Sequence, residues 1–183
     1  MIAASNVKGE YDVHVFDSLC GSLGMGYMCR EARELERAGK SVAEISARLE
    51  QIRASASLII TLATLKYAQM SGRVGGLRGM LGMMLNLKPI IQLTDGFLLP
   101  TEDKVRVRSK AFERITELSK ERLGNAPIRL GVVHANCPDE AKTLAALARK
   151  EFNLAEPLVI QSLSIAIAIQ LGPGTIGLVG YPV

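Results

Sequence analysis

His14 and His134, with Cys20, Cys29 and Cys137, are the side chains of this 183-residue sequence best suited to metal or nucleophilic chemistry. Their spacings form no zinc pattern, and no Cys or Ser has a base that the sequence places beside it. Neither a metal site nor a nucleophile can be assigned. Each histidine ends or interrupts an apolar run, where a ring binds a ligand or makes structural hydrogen bonds. In IAIAIQLGPGTIG, strand alternation would put Ile165, Ile167 and Ile169 on one face and Ala166, Ala168 and Gln170 on the other. The small-residue face ends in an amide that both donates and accepts. Gly172, Gly174 and Thr175 follow in a turn whose backbone N–H groups could meet an anion. A slot for a long amphiphile needs such a face, and a plain sandwich strand looks similar.

The stretch SGRVGGLRGMLGMMLNLKPII, residues 71–91, gathers five glycines and three methionines. A membrane span is excluded, because Arg78 interrupts the run and Lys88-Pro89 ends it well short of the ~20 residues required. A phosphate loop is excluded too, since neither the Walker spacing nor G-x-G-x-x-G is present. Two uses remain open. The glycines can let another backbone approach closely, as packing. Alternatively Met80, Met83 and Met84, at helical spacing, form an adaptable wall for a flexible apolar ligand. Lys104, Arg106, Arg108 and Lys110 are all even-numbered, so on a strand they would share one face. That face is either solvated or a cationic strip for an acidic protein or phosphorylated ligand.

Composition bounds the rest. With 48% hydrophobic and 22% charged residues the chain can build a core. A net charge of +4, 4% aromatics and no Trp argue against a nucleic-acid partner. Three widely spaced cysteines point to reduced thiols in a cytoplasm. Lys8 precedes any apolar run of signal-peptide length, so secretion is not expected.

These residues need elements to hold them. Val13–Phe16 reads as a short strand, LCGSLGMG as a loop, and the following helix closes at Gly39. Ser41-x-x-Glu44 is a capping box that opens the next helix. SLIITL starts the pattern afresh as a buried strand, followed by a short helix around Leu65–Met70. PIIQLT and FLLP flank Asp95-Gly96, a hairpin signal. KVRVRSK reads as a strand, with a helix carrying Phe112, Ile115 and Leu118 after it. IRLGVVH is a strand, a helix begins at Pro138, and LVIQSL and IAIAIQ read as extended segments. The expected fold is α/β with a mixed sheet: a complete two-layer C-terminal domain over 56–183, and over 1–55 a remnant of an N-terminal parallel α/β domain.

The order FDSLCGSLGMG, TLATLKYAQMSGRVGG, LGMMLNLKPII, LTDG, KVRVRSKA, VVHA and GPGTIG resembles the DegV family of bacterial lipid-binding proteins, collinearly along nearly the whole chain. The resemblance implies two α/β domains with a long-chain fatty acid in a tunnel between them. It also implies a fatty-acid kinase as partner, which phosphorylates the bound acid's carboxylate, while the binder catalyses nothing and needs no cofactor. On that view 71–91 helps shape the acyl slot through Met80 and Met84, with Gln170, Gly172, Gly174 and Thr175 at its polar end. Arg73 and Arg106 match family arginines that face the kinase or its acyl phosphate, and Arg108 continues the partner-binding strip.

Two departures stand out. The family's Thr-Ser and Ser-Gly-Thr loops, which hold the carboxylate, are missing here. Gln170 stands where the family usually has a histidine before the GPG turn, and a glutamine donates a hydrogen bond but carries no charge. A long acyl tail brings on the order of 10 kcal/mol of gross driving force, while a buried carboxylate without donors opposes it by several kcal/mol. Two other readings are an interaction protein that keeps the fold without a ligand, and a dihydroxyacetone-kinase-related enzyme subunit. The latter needs a substrate-binding histidine or a nucleotide loop, and neither can be assigned.

Overall fold

The computed structural model describes Gly9, residues 11–71 and residues 87–183. Most of the glycine-methionine stretch, with Arg73, Met80, Met83 and Met84, lies outside the described residues.

Two helices come first, α1 (Ser22–Arg37) and α2 (Val42–Ser55). Gly39, at φ +75°, ends the first by donating its N–H to Glu36 O. The Ser41 hydroxyl accepts from the Glu44 amide at 3.3 Å, while the Glu44 carboxylate accepts from the Ser41 amide at 2.9 Å. The capping box therefore forms as expected, satisfying donors that a helix start leaves bare.

Beyond Ala56 follow β1 (Ser57–Thr61), α3 (Lys66–Met70), β2 (Ile90–Thr94) and β3 (Phe97–Pro100). The chain continues through α4 (Arg108–Leu123), β4 (Ile128–His134), α5 (Pro138–Glu151), β5 (Val159–Ser162), α6 (Ile165–Leu171) and β6 (Ile176–Pro182). Asp95 and Gly96 sit at φ +50° and +82°, the left-handed pair that a two-residue hairpin requires, and they join β2 to β3 in register.

The strands form one sheet in the order β3-β2-β1-β6-β4-β5, antiparallel throughout except for the β4–β5 pair. This is the mixed sheet expected. Alternation sends Ile59, Ile90, Leu130, Val132, Ile176 and Leu178 to one face, where they pack on Phe112 and Ile115 of α4 and Leu144 and Ala148 of α5. Each such fully buried side chain contributes roughly 1.5–3 kcal/mol. Sheet and α4–α5 make two layers, and helices on the opposite face add a third, so the two-layer expectation for 56–183 is corrected.

The opposite face is shared. At one end α1 and α2 cover it through Tyr27, Met28, Leu49 and Ile52, which cluster with Tyr181 of β6. Charges reinforce that contact: Arg129 of β4 reaches Glu31 at 2.6 Å and Glu34 at 2.9 Å, and Arg30 grips Glu156 at 2.7 Å. Toward the other end α3 and α6 cover it, with Leu65, Ala68 and Leu171 over Ile60, Ile91 and Val133.

Four expected assignments are corrected. Val13–Phe16 is irregular, and SLGMG already belongs to α1. Residues 104–110 are not a strand: they run irregularly through Arg106 and enter α4 at Arg108. Among the described residues, strand-like pairing there is the one bond Lys88 N–H to Val105 O, while Phe112, Ile115 and Leu123 favour helix by burying a face at helical spacing. IAIAIQ is the helix α6, ended by Gly172 at φ +85°. Its alternation of Ile and Ala fits a short helix as well, with Ile167 and Leu171 four apart facing inward. Ile165 and Ile169 are left 79% and 67% exposed.

Candidate ligand cleft

Among the described residues, the second face of the sheet is left partly open between the α1–α2 cover and the α3–α6 cover. A cleft of about 430 Å³ occupies the gap. Its floor is strand side chains that alternation sends to this face: Leu58 and Ile60 of β1, Leu93 of β2, Leu98 of β3 and Val133 of β4. Leu163, Ile167 and Leu171 make one wall, and Leu19 and Cys20, before α1, make the other. Polar groups are few: Asp17, Ser22 and Gln170 line it. A concave, mostly apolar space with sparse polar groups is the usual form of a small-molecule site.

Gln170 thus reaches the cleft, although from a helix and not from a strand face shared with Ala166 and Ala168. Ser71, the first residue of the glycine-methionine stretch, donates its hydroxyl to Gln170 O at 3.5 Å.

The turn after α6 does a different job from the one its glycines suggested. The amide of Gly172 is donated to Ala168 O, that of Gly174 to Ala135 O and that of Thr175 to Gly172 O. Pro173 has no N–H. The backbone donors that could have met an anion are therefore spent within the fold. The buried Thr175 hydroxyl is spent too, 2.7 Å from Gly172 O and 3.2 Å from Leu171 O. Glycine is required here twice over, since Gly172 and Gly174 both have positive φ and a Cβ on Gly174 would lie 2.7 Å from Ala63. The turn anchors the end of α6 and so sets Gln170 against the cleft.

Arg108 serves the same turn. Its Nη2 donates to Gly174 O and to Glu140 at 2.7 Å, its Nε donates to Glu140, and its guanidinium lies over the Phe112 ring. The Arg108 guanidinium holds the Glu140 carboxyl below its ordinary range. The strip read as four cations on one face is thus split, with Arg108 turned inward and 19% exposed while Lys104 and Arg106 stay at the surface. Among the described residues Arg106 has no carboxylate partner.

His14 is exposed, 3.0 Å from Asp12. His134 is buried at the end of β4, its Nδ1 accepting from the Cys137 amide at 3.4 Å, which is structural bonding. Burial pushes the Cys20 and Cys137 thiols up, away from the thiolate that nucleophilic chemistry needs. Among the described residues no group of His, Cys, Asp and Glu could hold a metal ion, and no helix is long and apolar enough to cross a membrane. Sequence reasoning missed the floor of the cleft and Leu19. The floor residues carry the strand signal of a covered sheet face, and nothing local marks where the cover stops.

A fold of this order has known counterparts. The DegV family model, described as that of an uncharacterised protein family, matches residues 1–183. The chain belongs to the DegV family. A DegV domain-containing protein of Streptomyces coelicolor is 33% identical over 167 residues, covering 91% of this chain and 59% of the relative. Protein DegV of Bacillus subtilis is 33% identical over 141 residues, covering 76% and 50%. Among solved structures, a DegV-family protein of Thermus thermophilus described as binding fatty acid superposes with a TM-score of 0.90 at 31% identity, over 100% of this chain and 64% of the other. The fatty-acid-binding DegV of B. subtilis superposes at 0.84 with 28% identity, over 100% and 64%. This DegV-family chain therefore spans between half and two thirds of the length of these relatives.

Proposed function

We propose that this chain binds the hydrocarbon tail of a long-chain fatty acid in the cleft, with Gln170 toward its polar end, and serves as a binding subunit without catalysis of its own. The observation that carries the reading is the apolar cleft of about 430 Å³ left on the sheet face of a DegV-family fold. Each CH₂ that leaves water for such a floor contributes about 0.8 kcal/mol. The Thermus and Bacillus relatives described as fatty-acid binders support the choice of ligand.

In this reading a fatty-acid kinase is the partner that phosphorylates the presented acid, and the exposed Arg106 faces it. Arg73, Met80 and Met84 lie outside the described residues, and Gly172, Gly174 and Thr175 act by fixing the turn behind Gln170. The fatty acid is the ligand and no cofactor is invoked. Three free thiols, Cys20, Cys29 and Cys137, suit a cytoplasmic setting. We keep the division between 1–55 and 56–183 as a proposal, with 1–55 the remnant of an N-terminal α/β domain. Its described part carries the helices α1 and α2 and packs through Tyr27, Met28, Leu49 and Ile52 on Tyr181 of the sheet.

Native mass spectrometry of the chain purified from bacteria tests the ligand directly. A retained adduct with the mass of a long-chain fatty acid, released by denaturation, is expected. A protein free of adduct that also takes up no added fatty acid refutes the reading and favours an interaction protein without ligand.

A further inference from the structure

The cleft has a second compartment. A smaller cavity of about 110 Å³ adjoins it, and the two share Leu19, Cys20, Leu58, Leu93 and Gly96 as common lining. Leu58, Leu93 and Gly96 belong to the sheet and its hairpin, so they run beneath both spaces. Leu19 and Cys20 come from the segment before α1 and line both spaces. Beyond Leu19 the smaller cavity is lined by the apolar Met28, Ala54, Ala56 and Val179 and by the polar Ser18, Arg53, Ser57, Thr94, Asp95 and Arg122.

Leu19 is held in place by its backbone more than by a core. It adopts φ +50°, unusual for a leucine, with its amide donated to the Asp17 carboxylate at 3.0 Å. Its side chain reaches across to the β2–β3 turn, where a Cβ added to Gly96 would lie 3.3 Å from Leu19 Cδ2. At 38% exposure this leucine contributes less to stability than a core residue, yet it lines both spaces.

We propose that Leu19 is the stop that sets how long an acyl tail the cleft accepts, an inference that rests on the fatty-acid reading above. Wild-type chain holds a tail that ends against Leu19. Cutting Leu19 back joins the two spaces, and a longer tail then lays its terminal methylenes against Met28 and Val179. Each added methylene that finds apolar cover is worth about fourfold in affinity.

The test is displacement of a fluorescent acyl probe from the whole chain by saturated straight-chain acids, from decanoic to eicosanoic. Leu19→Ala should move the preferred length upward, with roughly fourfold gained per extra methylene accommodated, and Leu19→Trp should move it downward. Adding Ala54→Leu to Leu19→Ala partly fills the smaller cavity and should take the shift back. Urea midpoints measured alongside separate a changed cavity from a damaged fold. The same length profile in wild type, Leu19→Ala and Leu19→Trp, all binding, overturns the stop and leaves the fatty-acid reading standing. Binding lost in Leu19→Ala at an unchanged urea midpoint also overturns the stop. A wild-type chain that takes up none of the acids overturns both.

Discussion

Arg106 and Arg108 look equivalent in KVRVRSK, and the fold makes them opposites, which a pair of alanine substitutions should expose. Arg108 donates to Glu140 from both Nε and Nη2 and to Gly174 O from Nη2, and its guanidinium lies 5.2 Å from the Phe112 ring centroid. Hydrogen bonds to charged groups contribute about 1.5–3 kcal/mol each. Glu140 is 39% exposed, so water replaces much of what its carboxylate loses and the low end applies. With the stacking term and the lost stem packing, Arg108→Ala should destabilise by about 2–4 kcal/mol, or roughly 5–12 °C in Tm for a chain of this size. Arg106→Ala should stay within about 0.5 kcal/mol, since it removes an exposed side chain. Arg108→Lys keeps the charge and loses the fork, so it should fall between the two. Urea denaturation followed by circular dichroism reads all three, and high salt should shrink only the Arg108 effect. Equal stabilities for Arg106→Ala and Arg108→Ala would refute the inward placement of Arg108.

Leu98→Glu puts a carboxylate into the floor of the cleft from a half-buried position on edge strand β3. Fatty-acid uptake should be lost while the melting temperature changes little, and uptake at wild-type level would move the ligand elsewhere. Burial works to raise the Glu31 carboxyl, but hydrogen bonds from Arg48 and Tyr181 and the charge of Arg129 outweigh it and hold the group below its ordinary value of 4.5. A depressed folded value means the stabilisation is full above 4.5 and fades as acid protonates the group. Glu31→Gln should therefore be less stable than wild type at neutral pH, with urea midpoints converging as pH falls below that value. Arg106→Ala, on the proposed function, should weaken association with a fatty-acid kinase at low salt, as read by titration calorimetry, with an unchanged Tm; unaltered affinity would return Arg106 to the solvated surface.

Much of this protein is legible without coordinates because its signals are local. The Ser41–Glu44 box, the Asp95-Gly96 turn and Pro138 at the start of α5 each act within four residues, so chain neighbours alone decide them. The runs SLIITL and IRLGVVH are apolar enough to be strands in any sheet that buries both faces. Collinear motifs were enough to suggest the family before any coordinates. Where local preference is divided, tertiary contact chose. IAIAIQ became a helix because Ile167 and Leu171 pack four apart over the sheet, and Arg108 turned inward because Gly174 O and Glu140 wait for it across 66 and 32 residues. The cleft belongs wholly to this second class. Its floor residues are ordinary strand positions, and they face a cavity only because the α1–α2 and α3–α6 covers, distant in sequence, stop short of one another on the same face. Where a cover ends is set by the packing of remote segments, and no spacing within a strand records it.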